Sequence, residues 1–132
     1  MEQHRDLEVS MKLFDWAETE GFRKALRWVE RGFRFEDYEK YKIEVEENLE
    51  VSDYPYRVEA FFEEVGFLVH KSFVEIDVIV DRLGPYIVST WKKLEPWVIA
   101  MRKEREDNTF GEHFEKLYQK TVVYMKRNWK GN

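Results

Sequence analysis

Apolar positions recur along this chain at three- and four-residue intervals, the spacing that gathers side chains on one face of an α-helix. Leu7, Met11 and Phe14 begin such a stripe, and Phe22, Leu26 and Val29 continue one beyond a break at residues 18–21. The pattern leaves open whether one helix or two covers residues 7–29. Gly32 follows Arg27 and Arg31, as expected at a helix end where cations suit the dipole and glycine relieves a left-handed cap. Residues 36–51 read as an acidic rod carrying Tyr38, Tyr41, Val45 and Leu49 at helical spacing.

From Arg57, the positions Val58, Phe61, Phe62, Val65, Leu68 and Val69 share an arc assigned to the core, with Glu59, Glu63 and His70 opposite. Gly66, inside that helix, costs up to about 1 kcal/mol relative to alanine, which points to a close approach by a neighbouring helix. Ser72 with Glu75 fits a capping box and Asp77 offers a second N-cap, so a short helix over residues 78–83 is predicted to stop at Gly84-Pro85. The next helix starts at Pro85, with Ile87, Trp91, Leu94, Val98 and Met101 on one side and a kink at residues 92–96 where Pro96 removes a backbone hydrogen bond. After a break at residues 107–109, Thr109 with Glu112 suggests another capping box, and Phe110, Phe114, Leu117, Thr121 and Met125 line the last helix. No period-two alternation bounded by turn residues suggests a hairpin. The expected class is all-α: a compact multi-helix bundle of five to six helices with short connections, one of them proline-kinked.

Several of these positions, namely Phe61, Val65-Gly66, Leu68-Val69, Ile76-Asp77, Gly84, Trp91, Leu94, Pro96 and Arg102, resemble a family of small all-helical prokaryotic proteins classed as a domain of unknown function. The resemblance spans roughly residues 61–105 and, more loosely, the helix through Phe114 and Tyr118. It rests on packing and turn positions, so it implies a fold and brings no activity or catalytic residue with it. Some members of that family place a membrane helix ahead of the domain; this chain begins with charged residues, and no membrane role is expected.

Composition narrows the chemistry. A chain of 132 residues suits one domain over residues 1–132, and 43% hydrophobic with 17% aromatic residues is far too rich in apolar groups for disorder. Cysteine is absent, which excludes disulfides, thiolate metal sites and a cysteine nucleophile. With no secretory leader and no bilayer-length apolar run, the expected location is cytoplasmic. Ser10, Ser52, Ser72 and Ser89 lie in no glycine-flanked elbow, and six scattered glycines form no phosphate-binding loop.

No histidine has a glutamate three residues before it, the arrangement a helical carboxylate–histidine metal centre uses. Glu59 and Glu63 share a face with His70, but seven residues separate Glu63 from His70, about 10 Å along a helix. His113 and His4 offer no better set. No catalytic residue, cofactor or metal site is assigned.

Two constellations remain. Asp77 and Asp81 lie one turn apart, and Arg102 and Arg105 lie on or beside the apolar arc of the following helix, a set read as a structural ion-pair cluster fixing the angle between helices. On the last helix Lys116, Lys120, Tyr124 and Arg127 fall within a narrow arc, with His113 and Lys130 at its edges and Trp129 at the tip. Such a strip can bind phosphates, meet the acidic rod of another subunit, or be solvated. Charge is polarised accordingly: residues 82–132 carry 11 Lys and Arg against 6 Asp and Glu, although the whole chain is at -5. Five tryptophans exceed what one small core can centre, so a homodimer is expected. The favoured function is a non-catalytic protein–protein interaction or scaffold module rather than an enzyme, with RNA or single-stranded DNA binding through the last helix as the alternative.

Overall fold

The computed structural model describes residues 2–129, with side chains described from Leu7 onward. The described residues contain helices and no strand: α1 (Glu2–Ala17), α2 (Glu20–Gly32), α3 (Tyr38–Tyr41) running into a π-turn (Lys42–Glu46), α4 (Tyr54–His70), α5 (Ile76–Arg105) and α6 (Glu112–Asn128). The all-α bundle is therefore as expected, and residues 7–29 form two helices. Thr19 separates them in an extended conformation and accepts a hydrogen bond from the Phe22 amide, an N-cap placed inside the predicted break.

The core lies where α4, α5 and α6 meet, with α2 closing one side. Phe62 of α4 stacks on Phe114 of α6 at 5.1 Å, and Trp91 of α5 meets Phe114 edge-on at 5.0 Å. Ile87, Trp91, Leu94, Val98 and Met101 are all buried, as their periodicity requires. Gly66 is at the closest approach of α4 and α6: a Cβ there would lie 2.1 Å from the His113 carbonyl oxygen, so only glycine permits this helix pair.

Several local expectations need correction. Helix α5 runs unbroken through Gly84-Pro85, where the sequence predicts one helix to stop and the next to start, and continues through Pro96. A proline in a helix interior costs about 3 kcal/mol, but Pro85 is itself exposed while Leu83, Ile87 and Trp91 of the same helix are buried, and each contributes about 1.5 to 3 kcal/mol by its burial. Continuity wins. Ser72 adopts a left-handed conformation and caps nothing, while Glu75 is the extended residue before α5. Gly32 ends α2 without a left-handed turn, the chain leaving through extended Phe33.

The acidic rod is short: Tyr41 and Val45 are buried in the core and Tyr38 packs against it, but Leu49 is 88% exposed. On α1, Leu7 and Met11 are exposed whereas Ser10 and Leu13 are buried. That helix sends Leu13 into the core and sets Trp16 edge-on against Phe61 of α4, so its inward face is rotated from the predicted stripe.

Candidate interaction surface

The N-terminus of α6 lacks a capping side chain of its own, since its N-cap is Gly111 at φ 73°. Thr109, assigned to a capping box, instead donates to Asp107 at 2.6 Å. The orphan amides of His113 and Phe114 donate to the Glu63 carboxylate of α4, at 3.0 and 2.9 Å. A negative charge at this point also suits the helix dipole. Glu63 was assigned to a solvent face, as was Glu59, which is 6% exposed. Both assignments fail for one reason: α4 is covered on one side by α2 and α5 and on another by α6, so a single-arc wheel undercounts its buried surface.

Burial, with Glu63 one turn away, raises the Glu59 carboxyl to about 7, against an opposing pull from Arg105. Burial also raises Glu63, opposed by the Phe114 amide and by the His113 ring and amide. The His113 ring packs edge-on against Phe67 at 5.5 Å and lies 5.7 Å from His70, its Nδ1 buried without a partner. Desolvation and then Lys116 and Lys120 hold His70 below the ordinary histidine value. Among the described residues no group of three or more His, Asp or Glu side chains is placed to hold a metal ion. This polar seam does structural work, joining α4 to α6.

The structure does not bring Asp77, Asp81, Arg102 and Arg105 together. On one continuous helix Asp81 and Arg102 are 21 residues apart, about 32 Å at 1.5 Å per residue. Arg102 reaches α6 instead, donating to the Phe110 carbonyl at 2.7 Å and to Glu115 at 2.9 Å. Arg105 lies over the rings of Tyr56 and Phe110 at 5.0 and 4.7 Å. Asp77 and Asp81, at the other end of α5, approach Tyr124 of α6, whose hydroxyl is raised first by desolvation and then by these two carboxylates.

The basic strip is on the surface. Lys116, Lys120 and Arg127 are exposed and Tyr124 is half-buried, whereas Lys130 lies outside the described residues. No ion pair involves these three cations among the described residues. What the sequence did not reveal is the strip's apolar neighbour: Lys120, Tyr124 and Arg127 line a groove between α5 and α6 together with Ile76 and Val123. Val123 is 48% exposed. A cationic rim beside an apolar floor suits a protein surface of mixed acidic and apolar character. Elsewhere, two apolar residues project from the acidic segment, Ile43 at 68% and Leu49 at 88% exposed.

A family model described as a domain of unknown function (DUF4760) matches residues 4–121. The chain belongs to this family. No curated protein and no solved structure matches it significantly. The family match takes in Lys116 and Lys120 and stops before Tyr124 and Arg127, the outer part of the strip. Gly66, Trp91 and Leu94, on which the resemblance in sequence rested, are all buried packing positions. No described helix is long and apolar enough to cross a membrane.

Proposed function

We propose that the chain is a non-catalytic interaction module that pairs with a second copy of itself in the cytoplasm, the α5–α6 groove receiving the acidic segment of the other copy. The supporting observation is complementarity. Ile76 and Val123 offer an apolar floor flanked by Lys120 and Arg127, while Ile43 and Leu49 stand exposed among the carboxylates of Glu44, Glu47 and Glu50. In a two-fold dimer each such contact is made twice, which doubles its worth. Opposite charges on the two surfaces steer the encounter and fix its register.

The exposure of Lys116, Lys120 and Arg127 without ion-pair partners among the described residues favours a second reading, RNA or single-stranded DNA along α6. The apolar floor of Ile76 and Val123 weighs against it, because it offers nothing to phosphate. Light scattering of the purified chain separates the readings. A dimer that falls to monomer in Lys120→Glu/Arg127→Glu, and returns when Glu44→Lys/Glu47→Lys is added, supports the first. A wild-type chain that stays monomeric discards it, and a gel shift of a short RNA lost in Lys116→Glu/Lys120→Glu establishes the second.

A further inference from the structure

Away from α6, a cleft of ≈ 350 Å³ opens between α1, α2, α4 and α5. This volume is at the lower end of the range of small-molecule sites. Its wall is partly apolar: half-buried Phe14, Ala17 and Leu26 and exposed Tyr86 line it, above Phe22, Phe62 and Leu83, which are buried in the core. Its rim carries charge, with Arg23 from α2, Arg82 from α5 and Glu18 from the turn after α1. Arg82 is not a loose surface cation, since its guanidinium lies 4.6 Å from the centroid of the Phe14 ring, which fixes it at the mouth. Neither arginine has an ion-pair partner among the described residues.

We propose that this cleft binds a small amphipathic monocarboxylate, its apolar body against Phe14, Leu26 and Tyr86 and its carboxylate paired with Arg82. Arg23 supplies a second positive charge at the rim, and Glu18 cancels one of the two. A monoanion therefore matches the lining, whereas a phosphate dianion meets Glu18 in a site with one net positive charge. Arg82 is exposed at the rim, so an uncharged apolar molecule keeps the wall contacts and forgoes the charge-assisted pairing. The aromatic wall and the planar fork of Arg82 together favour a carboxylate on a compact aromatic or aliphatic body. This inference is independent of self-association, because neither arginine lines the α6 groove.

The test is a two-dimensional amide NMR titration with 4-phenylbutyrate, and with 4-phenyl-1-butanol as its uncharged counterpart. Saturable shifts grouped at Phe22, Arg23, Leu83 and Tyr86, with the acid binding more tightly than the alcohol, support the site. Arg82→Gln is expected to weaken the acid by about tenfold or more, the scale of a hydrogen bond to a charged group, and to leave the alcohol unchanged. Arg23→Gln, which spares the Phe14 contact, is expected to produce a smaller loss in the same direction. Shifts confined to Leu7, Met11 and Val78 in the neighbouring groove, equal affinity for acid and alcohol, or no shift at all would overturn the proposal.

Discussion

Glu59 is the residue whose behaviour departs most from what its type suggests. No side chain hydrogen-bonds its carboxyl among the described residues, and its proton is held up to about 7 rather than near the ordinary 4.5. The folded chain binds that proton more tightly than the unfolded chain does, so stability is full below pH 4.5 and falls as pH rises toward 7. Glu59→Gln removes the buried charge and is expected to raise stability above pH 7 by up to about 3 kcal/mol, with little gain at acid pH. Urea unfolding at the two ends of that range checks this, and an equal effect at both would refute it. Gly66 makes the opposite case, in which a propensity rule gives the wrong sign. Alanine favours a helix by about 1 kcal/mol, yet its Cβ would lie 2.1 Å from the His113 carbonyl oxygen. Gly66→Ala is expected to lower stability by about 1 to 3 kcal/mol as α4 and α6 are forced apart.

Among the elements, α6 is tied down by its neighbours. Glu63 of α4 caps its N-terminus, and Arg102 of α5 holds both Phe110, just before it, and Glu115 within its first turn. Arg102→Met leaves the Phe110 carbonyl and the Glu115 carboxylate without this donor, and a loss of about 2 to 3 kcal/mol is expected in thermal unfolding. Helix α1 is the reverse case. Of its described side chains only Ser10 and Leu13 are buried and Leu7 and Met11 are exposed, so its amides are expected to exchange with solvent faster than those of α4 and α5. Hydrogen-exchange mass spectrometry reads this directly, and equal protection in α1 and α5 would contradict the peripheral placement.

At the scale of the molecule, charge and shape are both polarised. The acidic segment around the π-turn carries exposed Ile43 and Leu49, while the basic strip of α6 borders the groove of Ile76 and Val123. Self-association through these surfaces is expected to weaken as salt is raised, because its steering is carried by exposed charges. Sedimentation at low and high ionic strength measures it, and salt-independent association would point to a purely apolar interface instead.

The order of elements was legible in sequence wherever a helix buries one face. Ile87, Trp91, Leu94, Val98 and Met101 were placed correctly because α5 turns a single stripe inward, and Gly66 because a glycine inside a helix needs a packing reason. The basic strip of α6 was legible too, since exposed residues on a single helix obey its periodicity alone. Tertiary structure decided the rest. It carried α5 through two prolines, turned Glu59 and Glu63 inward by covering α4 on two sides, and separated Asp77 and Asp81 from Arg102 and Arg105 along one rod. Periodicity is a property of one helix, whereas burial is a property of everything packed around it. Sequence therefore determined which residues share a face, and only the assembled bundle decided how many faces each helix must bury and which charges meet.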